Sequence, residues 1–361
     1  MTKRLKHIDA LRGLAALAII LFHLVWIPNP NLPVPSYLSF IPNRFGLGVP
    51  MFFIISGYSI FLSLDSKKSK HGWIFQFFAR RFFRIAPLFY FMFCFYFVRG
   101  ALHGNITSFL NILINISFSY TFFPGKHESL VWAGWPISIE MVFYLTVPLL
   151  IKFVDSFKKS IALLILSIIL TVSFRYFLKT IGSIPPTYYY MNIFTHLPFL
   201  SLGIMAFFLN QKKSIGQKAG INNLTMFLAI LLTILILFSF KYTPISNRLK
   251  FYEKYCIGLI LSLLLVLLGN IKLKFIVNRL TQFLGKISYS LYLAHPFIIY
   301  SLSPLYKEIY KNINNVLLSF TICILITIPL IFFTACFLYY FIENPVRKFS
   351  YLKMGQYIDK Q

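Results

Sequence analysis

Long apolar runs separated by short polar segments make up most of this chain. Each run is close to the roughly 20 residues that an α-helix needs to cross the hydrocarbon core of a bilayer. Only helices and closed barrels satisfy their backbone groups there, and runs of this length favour helices. The pattern therefore predicts an all-α, polytopic membrane helical bundle with about ten transmembrane helices. The predicted spans are 10–27, 46–64, 83–102, 136–154, 160–177, 192–210, 222–240, 254–269, 287–304 and 316–342.

One further stretch, 105–123, is long enough to span but is interrupted by Asn, Ser and Thr side chains. Because unsatisfied polar groups are costly in hydrocarbon, we expect a re-entrant or interfacial segment here. No internal repeat or linker divides the sequence. We therefore expect a single transmembrane domain over 1–345 and a short cytoplasmic tail over 346–361.

The distribution of basic residues tests this number of spans. With the N-terminus in the cytoplasm, 24 of the 35 Lys and Arg residues lie inside and 11 lie outside. This division obeys the positive-inside rule, and a span at 105–123 would reverse it. The segment 241–254 fits least well, because it places four basic residues outside. We expect a multi-pass protein of the plasma (inner) membrane with both termini cytoplasmic.

Composition narrows the class of protein. Hydrophobic residues make up 58% of the chain, more apolar surface than a soluble domain of this size could bury. The net charge of +26 would suit nucleic acid, but the basic residues lie at the ends of apolar runs, where they set topology. No nucleic-acid partner is therefore predicted. The four cysteines lie in apolar runs, and no His, Cys or acidic cluster has metal-binding spacing, so neither disulfides nor a metal are predicted.

Candidate chemistry begins in the first apolar run. An imidazole in hydrocarbon is costly, so His23 needs a partner, a wet cavity or a function. Arg12 lies eleven residues earlier, which puts both side chains on one helix stripe, roughly 16 Å apart along the axis. Asp9 lies one turn before Arg12, close enough to pair with it. A neutral imidazole can take a proton from a hydroxyl or attack a thioester. The alternative is a helix-end His satisfied by a backbone carbonyl.

Three arginines in the third run form a second candidate. Arg80 and Arg84 are one helical turn apart, and Arg81 lies three residues before Arg84 on the same side. Such a cluster could serve only to set topology. It also suits phosphate groups, which guanidinium groups bind bidentately.

Two later spans carry isolated polar groups. Glu140 is the only acid in its span, which makes it a candidate site residue, although a structural ion pair would also account for it. Tyr144 follows one turn later on the same face. His295 precedes Pro296 and has Tyr292 on its face; the alternative for this His is a packed side chain, hydrogen-bonded at a helix kink.

Five stretches, in order and spread over nearly the whole chain, resemble motifs of the acyltransferase-3 family of integral membrane O-acyltransferases. They are 8–16 with His23 (Arg, ten residues, His), 48–58 (FFxxSGY), 78–87 (a basic third-helix motif), 135–144 (WSLSVExxFY), and 285–296 with 343–345 (closing motifs). Pro136 replaces the usual Ser or Thr of the fourth motif. Any one of these alone is weak; five in order form a specific signal.

The resemblance implies roles for particular residues. Catalytic roles are implied for Asp9, Arg12, His23 and Glu140. Acetyl-CoA, as the acyl donor, would be bound by Ser56, Tyr58, Arg80, Arg81 and Arg84, with the arginines at its phosphates. Substrate contacts are implied for Tyr144, Tyr292 and His295.

The expected reaction moves an acetyl group from cytoplasmic acetyl-CoA to a hydroxyl of a surface polysaccharide or glycolipid. The acceptor class follows from the resemblance alone. His23 would act as general base or carry the group as acyl-His, and the sequence leaves both open. A transporter or flippase for a lipid-linked glycan is an alternative that predicts paired halves with interrupted helices. An acyltransferase with another donor, such as succinyl-CoA, or with a small-molecule acceptor is a third reading. A structural assembly subunit would leave the intramembrane ionisable groups unexplained.

Overall fold

A computed structural model describes residues 5–65, 72–215, 250–270 and 273–349 of the chain. Over these ranges the chain is helical and contains no β-strand, which confirms the predicted all-α class. The helices are α1 (Lys6–Trp26), α2 (Phe40–Arg44), α3 (Gly48–Asp65), α4 (Trp73–Leu102), α5 (Phe109–Ile116), α6 (Trp135–Phe153), α7 (Phe157–Ile181), α8 (Ile193–Ile215), α9 (Lys250–Asn270), α10 (Arg279–Lys286), α11 (Ser288–Asn312) and α12 (Val316–Leu338).

Eight segments within the described ranges are long and apolar enough to cross a membrane, and each matches one of the ten predicted spans. Of the other two, 222–240 lies outside the described residues. The last, 287–304, forms most of α11, which has 25 residues. Its Tyr and Ser side chains make α11 less apolar than the eight, but its length of about 37 Å exceeds the hydrocarbon thickness.

The polar stretch 105–123 does not form a spanning helix. Its helix α5 has eight residues, a length of about 12 Å. The Ser108 hydroxyl accepts a hydrogen bond from the Asn111 N–H and so begins the helix. Phe118 then adopts a φ of 56°, which ends the helical path. The prediction that this stretch lacks a full span is confirmed.

Glycines bring the central helices into backbone contact. A Cβ on Gly203 of α8 would lie 2.1 Å from the Ile54 carbonyl oxygen of α3, and one on Gly57 would lie 2.2 Å from that of Leu200. Between α10 and α1, a Cβ on Gly285 would lie 1.8 Å from the Asp9 carbonyl oxygen. Small residues allow this because helix association in a bilayer depends on close packing rather than on apolar burial.

Contacts between helix ends define the two faces of the bundle. We name the end at which α1 begins the near face and the end at which it finishes the far face. At the far face, Tyr310 near the end of α11 donates to the Pro33 carbonyl at 2.7 Å, and Arg44 pairs with Glu253 near the start of α9 at 2.5 Å. Both contacts agree with antiparallel spans. Helix α3 begins inside the bundle, because Gly48 abuts the Ala15 carbonyl partway along α1.

The segment 241–254, whose basic residues fit the positive-inside rule least well, includes one residue with a visible packing role. Lys254 lies 5.2 Å from the ring centre of Tyr190 and 5.0 Å from that of Tyr255. A half-buried ammonium between two aromatic rings is held by cation–π attraction. Lys254 therefore has a packing role at the far face. This role explains why one of the four basic residues of the segment can lie on the predicted outer side. Most of the remainder of 241–254 lies outside the described residues.

Candidate active site

A partly open cavity lies between α1, α3, α4, α6 and α11. Each of these helices contributes one polar side chain that the sequence had singled out. They are Arg12, Ser56, Arg84, Glu140 and Tyr292. Five predicted site residues, separated by up to 280 positions in the chain, therefore share one lining.

The charged groups of this cavity form a network with a positive excess. The Ser56 hydroxyl donates to the Glu140 carboxylate at 2.5 Å, and Arg12 Nη2 lies 3.5 Å from the Ser59 oxygen. Asp9 is buried one turn before Arg12 on α1 and is not part of the lining. The lining carries two guanidinium groups, those of Arg12 and Arg84, and one carboxylate, that of Glu140. Such a balance favours an anionic ligand.

The three arginines of α4 occupy different places. Arg84 lines the cavity. Arg81 lies beside it, with its guanidinium carbon 5.3 Å from the ring centre of Tyr144. Arg80 donates to Gln76 on its own helix at 2.9 Å and is not part of the lining. Only part of the predicted arginine cluster therefore faces the cavity.

Tyr58 does not join Ser56 in the cavity. Its hydroxyl accepts a hydrogen bond from Asn210 of α8 at 2.9 Å, and its ring packs against Phe207. Two residues along a helix correspond to a rotation of about 200°, so the two side chains leave opposite sides of α3. The predicted role of Tyr58 in donor binding has no support in this geometry.

A pair of histidines lies farther along α1. His23 Nδ1 is 2.8 Å from His295 Nε2, and the two rings stack with centres 4.9 Å apart. His295 is fully buried, whereas His23 is half-buried. The predicted need of His23 for a partner is met by a residue from α11 that the sequence had associated with substrate contacts.

The surroundings of this pair assign its protons. His295 Nδ1 lies 3.3 Å from the Leu291 carbonyl oxygen, which can only accept a hydrogen bond. We therefore assign the proton of neutral His295 to Nδ1, which leaves its Nε2 to accept from His23 Nδ1–H. The lone pair of His23 is then on Nε2, away from His295. An imidazole held in this tautomer can act as a base or a nucleophile at Nε2.

Tyr292 connects the cavity with the histidine pair. Its ring lines the cavity and lies 5.5 Å, centre to centre, from that of His295. The Tyr292 hydroxyl donates to the Ala133 carbonyl at 2.7 Å, and its ring meets Phe52 edge to face at 6.2 Å. The cavity and the histidine pair are therefore neighbours, with Tyr292 between them.

Some contributors to the site had no strong signal in the sequence. Ser59 and Tyr289 contact Arg12 and line the cavity, respectively, and a Ser or Tyr in an apolar helix is common. The sequence also contained no direct sign that His295 is the partner of His23, because 272 residues separate the two histidines. The one available signal was that two histidines in apolar spans both require partners.

Comparisons with known proteins agree with these features. The family model described as "Acyltransferase domain" matches residues 5–336. The peptidoglycan O-acetyltransferase OatA of Listeria monocytogenes is 26% identical over 97% of this chain, which spans 57% of the relative's length. A putative acetyltransferase of the Acidianus two-tailed virus is 26% identical over 80% of this chain and 81% of its own. No solved structure matches.

The family match covers nearly the whole chain, and the motifs that carried the resemblance provide most of the polar residues of the cavity and both histidines. The helical bundle, with its spanning segments, provides the membrane setting that such an enzyme requires. The chain therefore belongs to the acyltransferase-3 family and is a multi-pass membrane protein.

Proposed function

We propose that this enzyme transfers an acetyl group from cytoplasmic acetyl-CoA to a hydroxyl of a surface polysaccharide or glycolipid. The observation that carries the proposal is the arrangement of a cationic cavity and a histidine pair along one helix. Arg12 and His23 lie roughly 16 Å apart on α1, and Tyr292 lies between their compartments. A donor bound at one level can present its thioester at the other.

The cavity is the site proposed for the donor. Its arginines suit the phosphates of coenzyme A, which guanidinium groups bind bidentately. The pantetheine arm, whose length is comparable with the distance from Arg12 to His23, would pass Tyr292. Asp9, Arg12 and Glu140 then hold the donor in place rather than meeting its reacting atoms: Arg12 and Asp9 lie about three and four turns before His23 on α1, and Glu140 lines the cavity from α6.

The histidine pair is the proposed centre of chemistry. His23 Nε2 removes the proton of the acceptor hydroxyl as its oxygen attacks the thioester carbonyl. The carbon–sulfur bond then breaks, the coenzyme A thiolate leaves, and the imidazolium returns the proton to sulfur. In a second route Nε2 itself attacks the carbonyl, and the acyl-His passes the group to the acceptor. His295 fixes the tautomer that both routes require.

The proposed topology places the near face in the cytoplasm. The inside share of the basic residues supports this orientation, with both termini cytoplasmic and the protein in the plasma (inner) membrane. The donor would then enter from the cytoplasm and the acceptor from the far face. The OatA relative is named for acetyl transfer to peptidoglycan, which lies outside the cytoplasm, and this agrees with such a route.

Sealed vesicles of defined orientation test the proposal. Labelled acetyl-CoA is supplied to the near-face side, and an impermeant glycan acceptor is supplied to the far-face side. We expect labelled acetyl ester only with this arrangement, and His23→Gln vesicles should give none. Transfer that requires both substrates on one side would contradict the route. Competition with succinyl-CoA on the donor side identifies the preferred acyl group.

A further inference from the structure

Two cationic side chains meet one tyrosine ring where α12 reaches the near face. Helix α12 continues into a π-helical turn, Tyr339–Glu343. The Lys286 ammonium, at the end of α10, lies 5.4 Å from the ring centre of Tyr339, and the Arg347 guanidinium carbon lies 5.6 Å from the same centre. Lys286 also lies 6.0 Å from the ring centre of Tyr340. We name these four side chains the near-face cation group.

The near-face cation group lies at the boundary of the bilayer. Helix α11 begins at the near face, beside the start of α1, and finishes at the far face, so α12 runs back toward the near face. From Val316, which follows two asparagines, to Tyr339 the rise is about 35 Å, slightly more than the hydrocarbon core of roughly 30 Å. Tyrosine is enriched at this level because its ring is apolar and its hydroxyl is polar. The cations therefore lie at the depth of lipid headgroups.

One side of the group faces outward. Tyr339 is fully buried, whereas Tyr340 is 49% exposed, so Lys286 lies where the surface of the helix passes from the bundle to its surroundings. Three phenylalanines spaced four residues apart have more than half of their surface exposed: Phe333, Phe337 and Phe341. Four residues complete about one turn, and the last two rings lie 4.7 Å apart, so these rings form a stripe along the outside of α12. The stripe leads from the bilayer interior to the cations.

The outward charge of the group is positive. Among the described residues, nothing accepts a hydrogen bond from the Lys286 ammonium, which has three donors. Over 273–349 the acidic side chains are Glu308 and Glu343. Glu308 lies toward the far end of α11, whereas Glu343 is buried and accepts a hydrogen bond from the Ser290 hydroxyl at 2.7 Å. This distribution of charge favours an anionic partner.

A purely structural role accounts for Arg347 better than for Lys286. Arg347 Nη2 donates to the Tyr339 hydroxyl at 2.9 Å and to the Asn344 side-chain oxygen at 3.0 Å, so contacts near the end of its own helix fix its position. Cation–π attraction could likewise hold Lys286. This attraction does not use the ammonium hydrogens, however, and they remain at headgroup depth beside an exposed aromatic side chain.

We propose that the near-face cation group binds the headgroup of an anionic phospholipid such as phosphatidylglycerol. The phosphate would accept charge-assisted hydrogen bonds from Lys286 and would also be attracted by Arg347. One acyl chain would pack along Phe341 and Phe337. A basic pocket between helix ends at the near face is a type of site that suits anionic headgroups. This inference stands independently of the proposed reaction.

Retention of bound lipid tests the proposal directly. The protein is purified in detergent with equal amounts of phosphatidylglycerol and phosphatidylcholine that carry identical acyl chains, and bound lipids are counted by native mass spectrometry. We expect the wild type to retain phosphatidylglycerol preferentially. Lys286→Gln should lower this retention about fivefold, the effect expected from one basic residue near an anionic headgroup. Lys286→Arg should keep most of the retention, because the positive charge remains.

Lys152→Gln is the matched control, since it removes another near-face lysine beside an aromatic ring, 5.8 Å from that of Phe153, and should not change retention. Phe341→Ala alters an exposed side chain outside the packed core and should also weaken retention, because a contact with the acyl chain is lost. Free glycerol phosphate should not displace the lipid, since it has no acyl chains.

Three results would overturn the site. The first is equal retention of both lipids by the wild type. The second is retention of phosphatidylglycerol by Lys286→Gln that equals that of the wild type, or a loss in Lys152→Gln as large as that in Lys286→Gln. The third is displacement of the lipid by glycerol phosphate, which would assign the group to a soluble phosphate.

Discussion

At the scale of single residues, the site depends on pairings between distant helices. The sequence placed His23, Arg12 and Glu140 among its candidates because charged or titratable groups in apolar spans are costly without a function, and Arg84 because its spacing from Arg80 and Arg81 suits phosphate groups. The structure adds that His295 is the partner of His23 and that Arg84, rather than Arg80, lines the cavity. Neither detail follows from spacing within one helix, since each depends on how two helices rotate against each other.

The histidine pair yields the first prediction. His23→Gln should lower the rate of acetyl transfer at least 100-fold, as expected for loss of a general base. His295→Leu should lower kcat at least about tenfold with little change in either KM, because the tautomer of His23 is no longer fixed. In His295→Gln the side-chain oxygen can accept from His23 Nδ1–H, so this variant should retain more activity than the Leu variant. Steady-state kinetics of purified protein measure these effects.

An exposed histidine controls for these substitutions: His103→Gln should leave kcat unchanged. Equal activity of His295→Gln and His295→Leu, at equal yields of folded protein, would show that His295 serves packing alone.

The α4 arginines yield the second prediction. Arg84→Gln should raise the KM for acetyl-CoA about tenfold or more, because a charged hydrogen-bonding group is removed from the cavity. Arg84→Lys should restore only part of the affinity, since an ammonium cannot bind bidentately. Arg80→Gln is the matched control from the same motif and should change the KM little. A larger effect at Arg80 than at Arg84 would place the phosphates on another side of α4.

At the scale of elements, the apolar pattern predicted the helices but not where they begin. Helix α4 starts at Trp73, ten residues before the predicted span, because a helix continues through its polar flank once its backbone bonds are formed. Helix α11 is apolar enough to recognise as a helix, yet its Tyr and Ser side chains face the site and the neighbouring helices. Pattern alone cannot separate a lipid-facing position from one that faces another helix.

Helix contacts at glycine yield the third prediction. Gly203→Ala and Gly285→Ala should each destabilise the folded protein by about 1–3 kcal/mol, since the new Cβ would overlap a backbone oxygen. Gly100→Ala in α4 is the control, because the nearest atom would lie 3.9 Å from its Cβ. It should be neutral or slightly stabilising. Thermal unfolding in detergent compares the three variants with the wild type. Equal melting temperatures would contradict the prediction, because they would show that close backbone contact at Gly203 and Gly285 does not contribute to stability.

At the scale of the whole molecule, topology yields the fourth prediction. In a variant with its four cysteines replaced by serine, Lys126→Cys should react with an impermeant maleimide added to intact cells, and Lys158→Cys should react only after lysis. The reason is that the two positions follow spans of opposite direction, α4 and α6. The reverse labelling would place the near face outside and would exclude cytoplasmic acetyl-CoA as the donor.

The boundary formed by Tyr292 and Phe52 has a consequence for the cell. The proposed route for the thioester runs between the two faces, and it must not conduct protons, because the membrane potential would otherwise dissipate. The Phe52 and Tyr292 rings meet edge to face, and the Tyr292 ring lies 5.5 Å from that of His295, so this pair of rings stands on the proposed route between the cavity and the imidazoles. We therefore expect the two rings to obstruct proton flow along that route. We expect Tyr292→Ala vesicles to lose an imposed pH gradient faster than Tyr292→Phe or wild-type vesicles, as followed with an internal pH-sensitive dye.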